Sequence, residues 1–175
     1  MRRLILLRHS KAERAEAGQG DKARVLAPQG RSDASMIGAY LASHSFRPDR
    51  VLVSPAARTQ ETWRHVAAAL RSTPDAVFDD RLYNAATQTL LAALTELPDD
   101  ANVAMLIGHN PGLHELAFLL TASGDIDTRE RLRENFPTSG VAIIDFAVDS
   151  WAKLHARSGR LERFVSPALI ASTTN

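Results

Sequence analysis

Three short, wholly apolar runs constrain this chain most: Leu4-Ile5-Leu6-Leu7, Val51-Leu52-Val53 and Val103-Ala104-Met105-Leu106-Ile107. Each is too short for a buried helix and is bounded by charged or turn-forming residues, so each reads as a strand covered on both faces. The stretches between them carry apolar residues at helical spacing. Buried strands alternating with amphipathic helices predict the α/β class. No internal repeat, low-complexity tract or linker interrupts the pattern, and 175 residues fit one domain, 1–175.

The helical stretches are specific enough to place. Pro28 opens one with Ala34, Ile37, Gly38 and Leu41 on one face. Ser54-Pro55 supplies a good N-cap and first-turn proline for the next, whose face is Trp63, Val66, Ala67 and Leu70. A short strand is expected near 76–78, and a helix over 87–97 with Leu90, Leu91, Leu94 and Leu97, stopped by Pro98. Asn110-Pro111 repeats the cap-and-proline arrangement ahead of Leu113, Leu116, Ala117 and Leu120. Residues 13–27 read as a mobile, charged loop with Gly18 and Gly20. Segment 123–139 reads as polar chain with a helical turn near 129–134, 141–146 as a strand, 161–165 as a weaker strand, and the last ten residues as loose.

The residues at the ends of the three strands carry the chemistry. The first strand ends in Arg8-His9, the second in Ser54-Pro55 with Arg58 in the first helical turn, and the third in Gly108-His109-Asn110-Pro111. In open α/β sheets ligands bind beyond the carboxyl ends of the strands. Two guanidinium groups, two imidazoles and two helix starts at one such edge form the inventory of a phosphate-handling site with a histidine nucleophile. Nearby arginines disfavour a further positive charge on His9 and keep its ring neutral near pH 7. His109 is then expected to donate a hydrogen bond to phosphoryl oxygens. His44, His65, His114 and His155 are expected on surfaces.

Composition trims the alternatives. The formal net charge of +1 argues against a general nucleic-acid or polybasic membrane surface. No cysteine is present, so a disulfide framework or thiolate metal site is excluded. No stretch approaches the roughly 20 apolar residues that span a bilayer, and the amino-terminal apolar stretch is too short for a secretion signal. The expectation is a soluble cytoplasmic protein that binds neither nucleic acid nor membrane.

With these residues in place, the chain resembles the histidine phosphatase superfamily (branch 1, phosphoglycerate mutase-like), and within it the short phosphohistidine phosphatases of the SixA type. The matching pieces are Leu4-Ile5-Leu6-Leu7-Arg8-His9-Ser10-Lys11-Ala12, Val51-Leu52-Val53-Ser54-Pro55-Ala56-Ala57-Arg58-Thr59-Gln60-Glu61-Thr62 and Leu106-Ile107-Gly108-His109-Asn110-Pro111-Gly112, in the family order. Leu82-Tyr83-Asn84-Ala85 and the segment 136–142 match more weakly. The resemblance implies a three-layer sandwich whose mostly parallel central sheet is flanked by helices, with no metal and no other cofactor. It puts the nucleophile at His9, phosphate-binding arginines at Arg8 and Arg58, the second histidine at His109, and substrate contacts also at Asn110 and Ser10. Its partners are a phosphohistidine-bearing protein or a small phosphoester.

Three positions depart from the family pattern. Ser10 stands where glycine is common, Ala15 where mutases carry a phosphate-binding asparagine, and Asn84 where many members carry a glutamate proton donor. An amide cannot supply a proton. Breaking a P–O bond to an alkoxide benefits from a strong general acid, whereas an imidazole leaving group protonates near neutral pH. The missing glutamate therefore favours phosphohistidine, with Glu13, Asp21, Asp79 and Asp80 left as substitute donors that the sequence does not rank. Only fifty residues separate Arg58 from His109, which predicts an open, shallow pocket with 13–27 as a partial lid. Three other readings remain: a broad small-molecule phosphomonoesterase, a phosphate or phosphoprotein-binding module without chemistry, and a metal hydrolase using His9 and His109, which lacks the usual ligand motifs.

Overall fold

The computed structural model describes residues 1–173. Among them seven strands form one sheet in the order β3-β2-β4-β1-β6-β7-β5. The strands are β1 (Arg2–Arg8), β2 (Arg50–Val53), β3 (Ala76–Phe78), β4 (Val103–Gly108), β5 (Thr121–Gly124), β6 (Val141–Phe146) and β7 (Gly159–Val165). The helices are α1 (Pro28–Ser43), α2 (Ala57–Ala69), α3 (Thr87–Thr95), α4 (Gly112–Leu120), α5 (Ile126–Glu134) and α6 (Pro167–Thr173). β3, β2, β4 and β1 run parallel, β6 is antiparallel to both β1 and β7, and β5 pairs in parallel with β7. The fold is the mostly parallel α/β sandwich that the sequence predicts.

Alternation along the central strands builds two cores. Leu4 and Leu6 of β1, with Ala104 and Leu106 of β4, face a layer of α3 and α4 that includes Leu90, Leu94, Leu113 and Leu116. Ile5 and Leu7, with Met105 and Ile107, face Ile37 and Leu41 of α1 and Trp63 and Val66 of α2. Consecutive side chains point to opposite faces, so strands covered twice need unbroken apolar runs. The predicted face of α1 (Ala34, Ile37, Gly38, Leu41) is buried as expected, as is that of α4. In α2, Trp63 and Val66 are buried and Ala67 is only partly covered, while Leu70 is buried just past the helix end.

Several local expectations are corrected. Ser54-Pro55 does not start α2, whose first helical residue is Ala57; the Ser54 hydroxyl pairs with His109 Nε2 instead. Asn110 does not cap α4, because its side-chain amide donates to the Phe136 carbonyl and Pro111 precedes the first helical residue. The polar segment after α4 contributes strand β5, held by backbone pairing with β7, and α5 extends over 126–134 rather than one turn. The carboxyl-terminal stretch is not loose through 173: Ser166 precedes helix α6, and Ile170 packs on the α1–α2 core. Residues 174–175 lie outside the described residues.

Segment 13–27 is anchored rather than free. Glu13 N donates to Val25 O at 2.8 Å, Ala27 N donates to Lys11 O at 2.9 Å, and Leu26 is completely buried. Helix α1 presses on the same strand end: a Cβ on Gly30 would lie 2.1 Å from the Lys11 carbonyl oxygen, so only glycine permits that approach. A 3-10 turn at Asp21–Ala23 forms the tip of the loop. Among the described residues no helix is long and apolar enough to cross a membrane.

Candidate active site

Register brings the three strand ends together. Leu7 pairs with Ile107, Arg8 with Gly108, and Val53 with Ile107, so β1, β4 and β2 stop at one edge. His9 N donates to Gly108 O at 3.1 Å and Ser54 N donates to Ile107 O at 3.0 Å, which carries the pairing one residue past the strands. His9 and His109 thereby meet with ring centroids 5.3 Å apart. Arg58, one residue into α2, brings Nη2 to 3.3 Å from His109 Nδ1.

Hydrogen bonds fix the ring states. His9 Nδ1 lies 2.8 Å from the Ser10 carbonyl oxygen. A carbonyl only accepts, so Nδ1 carries the proton and Nε2 the lone pair. At His109 the sense is opposite: Arg58 donates to Nδ1, and Nε2–H donates to Ser54 Oγ at 2.7 Å. Burial first, then the charges of Arg58, Arg8 and Arg24, pushes the His9 imidazole down to about 4. Burial, reinforced by His9 and Arg58, pushes His109 down to about 3. Both rings are neutral at pH 7, and the cause is mainly desolvation rather than the arginines alone.

Arg8 stands half-buried beside them. Its Nη1 donates to Phe136 O at 3.0 Å, while its Nε is buried with no partner among the described residues. A buried charged donor without an acceptor marks a place where an anion would be welcome. Burial also lowers the Arg8 pKa.

Two further predicted contacts are tied into the surrounding structure. Ser10 is completely buried, its hydroxyl pairs with Ser139 Oγ, and its N–H donates to Thr62 Oγ1 at 3.0 Å. It holds the loop that carries His9. Asn110 Nδ2 donates to Phe136 O at 2.9 Å, while its Oδ1 is buried with no partner among the described residues. Of the other histidines, His44 and His155 are exposed, whereas His65 is half-buried and the half-buried His114 donates from Nε2 to Leu132 O, tying α4 to α5.

The structure adds residues that the sequence reading passed over. Ser54 is one, read there as a helix cap. Tyr83 is another; it stands edge-on to His109 at 5.6 Å with its ring 6.0 Å from the Arg58 guanidinium carbon. Its placement one residue before Asn84 is the only sequence signal for it. Asp21, at the tip of 13–27, is one of the four carboxylates the sequence leaves unranked, and its contacts set it apart. Arg58 donates to its carbonyl at 2.9 Å and to its carboxylate at 3.1 Å, and the Tyr83 hydroxyl donates to the same carboxylate oxygen. Tyr83 first, and Arg58 after it, hold the Asp21 carboxyl below the usual carboxylate range.

The family model described as histidine phosphatase superfamily (branch 1) matches residues 4–105. An uncharacterized protein of Mycobacterium leprae is 33% identical over 150 residues, spanning 84% of this chain and 89% of that protein. A solved structure from Agrobacterium tumefaciens, provisionally named as the phosphohistidine phosphatase SixA, is 34% identical with a TM-score of 0.76, covering 95% of this chain and 98% of the other. A protein histidine phosphatase SixA solved with tungstate has a TM-score of 0.77 over 96% of this chain and 99% of that one; at 22% identity the likeness is one of fold.

Proposed function

The chain belongs to branch 1 of the histidine phosphatase superfamily and is of the SixA type; from that premise we propose that it hydrolyses phosphohistidine on a protein substrate through a covalent intermediate on His9. The observation that carries the reading is the pairing of a proton-fixed, neutral His9, its lone pair on Nε2, with Arg8, Arg58 and His109 at one strand edge. A module that only binds anions needs the arginines but not a nucleophile with a fixed tautomer.

The mechanism is built from these groups. Arg8 and Arg58 clamp the equatorial phosphoryl oxygens, because guanidinium forks match them and stay charged. Arg58 leaves Asp21 and His109 to do so. His9 Nε2 attacks phosphorus, the bond to the departing imidazole breaks, and phospho-His9 forms. A water then attacks phosphorus and returns the electron pair to Nε2. Freed from Arg58, His109 Nδ1 faces the phosphoryl group; donation from it requires the proton to move to Nδ1, with the Ser54 hydroxyl turning to donate to Nε2. Ser54 can both accept and donate, so it supports either ring state. Replacement of Ser54 by alanine should lower kcat by about 10²-fold, the scale of one lost transition-state donor, with KM little changed; a loss below threefold in steady-state assays would remove Ser54 and the His109 tautomer change from the mechanism.

The substrate class rests on the leaving group. Asn84 occupies the family's glutamate place and lies beyond Tyr83 with φ +46°, so an imidazole, which departs without a strong acid, is the better leaving group. The experiment is a side-by-side measurement of kcat/KM on a phosphohistidine-bearing protein and on sugar phosphates. Phosphohistidine should be turned over at least about tenfold faster; faster turnover of the sugar phosphates would replace this reading by a general phosphomonoesterase.

A further inference from the structure

The fold separates the four carboxylates that stand as substitute proton donors. Asp79 caps a 3-10 turn and grips Arg81 at 2.8 Å. Asp80 lies exposed, 3.8 Å from Lys22, and the Glu13 side chain faces solvent at the neck of the loop. Asp21 is the one of the four that touches the site, on Arg58 and Tyr83. Arg58 is 5% exposed and Asp21 45%, so the carboxylate stands on the solvent side of the guanidinium, where a leaving group must exit.

We propose that Asp21 is the acid that protonates a departing alkoxide, giving this site a phosphomonoesterase activity beside its phosphohistidine chemistry. The proposal rests on the reading of His9 as nucleophile. In the resting site Asp21 occupies Arg58 as an internal anion. An arriving phosphoryl group takes the guanidinium over, since two charged oxygens in a fork outcompete one. The carboxylate then exchanges the Arg58 cation for an anionic neighbour, which raises its affinity for a proton supplied by solvent, while Arg24 remains 3.0 Å from Oδ1 and Tyr83 still donates to Oδ2. Tyr83 keeps it at the mouth.

The atoms balance over two steps. In the first, His9 Nε2 bonds to phosphorus, the P–O bond to the alcohol breaks, and the Asp21 proton passes to the departing oxygen. In the second, a water oxygen bonds to phosphorus, the P–Nε2 bond breaks, and the water's proton passes to the Asp21 carboxylate. The products are the alcohol, phosphate and the starting enzyme. A departing imidazole takes its proton near neutral pH without this help, so the demand on Asp21 grows with leaving-group basicity.

The test is a leaving-group series on the full chain: glycerol phosphate, p-nitrophenyl phosphate and a phosphohistidine-bearing protein. Asp21→Asn should lower kcat on glycerol phosphate by about 10²-fold or more and on p-nitrophenyl phosphate by only about threefold, because nitrophenolate leaves without a proton. Tyr83→Phe should show the same trend more weakly, and Asp21→Glu should recover part of the loss. An equal fall on all three substrates would mean that Asp21 only shapes the loop. Tighter vanadate binding with no leaving-group trend would mean that it only plugs Arg58. Wild-type protein that cleaves p-nitrophenyl phosphate but not glycerol phosphate has no such activity. Any of these three overturns the proposal while leaving the phospho-His9 reading intact; failure to trap phosphoryl label on His9 would overturn both.

Discussion

His9→Ala should abolish turnover, with kcat reduced by at least about 10⁴-fold on every substrate, because a covalent route cannot proceed without its nucleophile. The variant should still bind vanadate or phosphate through Arg8 and Arg58, and it should fold, since the imidazole sits at a strand edge and not in either apolar core. Wild-type protein quenched during turnover should carry phosphoryl label on His9 Nε2. The ring state can be read directly by NMR. A protonated imidazole has no lone pair to attack with, and the His9 pKa is lowered to about 4. The ring should therefore remain neutral and Nδ1-protonated from pH 8 down to about 5, and take up its second proton only near pH 4. A midpoint near 6.5 would show that burial does not lower the His9 pKa, and near-normal hydrolysis by His9→Ala would sink the covalent mechanism.

Arg58→Ala should be the next most damaging change, with kcat lowered about 10³-fold, the scale seen when an arginine that neutralises a transferring phosphoryl group is removed. Arg58→Lys should recover only part, because an ammonium is a point charge without a planar fork. The apo geometry adds a second effect. Arg58 holds the tip of 13–27 by two hydrogen bonds to Asp21. Its loss should raise amide exchange at that tip while leaving β1 protected, because Leu4–Leu7 lie in the central sheet and are completely buried. A fall in kcat of less than about tenfold would exclude Arg58 from the phosphoryl clamp, and unchanged exchange at the tip would show that Tyr83 and the loop neck hold it without Arg58.

Much of the fold can be read residue by residue from the chain. The runs at 4–7, 51–53 and 103–107 become three adjacent parallel strands, and the i, i+3, i+4, i+7 face of α1 is buried as its spacing requires. Strand β5 could not be found that way. Thr121-Ala122-Ser123-Gly124 has no apolar alternation, and it is a strand because β7 offers its backbone a partner. Helix α6 is likewise short and forms where Ile170 finds a surface between α1 and its neighbours. Serine and asparagine before proline misled for one reason: local sequence identifies a side chain able to cap a helix, but a nearby acceptor or donor can claim it first. Ser54 was claimed by His109 and Asn110 by Phe136.

The order of apolar and polar residues determined by itself which strands are buried on both faces and which side chains come after them, because burial of a strand demands an unbroken apolar run wherever it sits in the sheet. It therefore determined that Arg8, His9 and His109 emerge at strand ends, with Arg58 in the first helical turn after one. Tertiary structure alone decided which of those groups face one another and in what protonation state, since contacts between residues 50 or 100 positions apart depend on register and not on local pattern. It seated Ser54 on His109, sent Ser10 to Ser139, and chose Asp21 among four carboxylates by folding one loop tip onto Arg58.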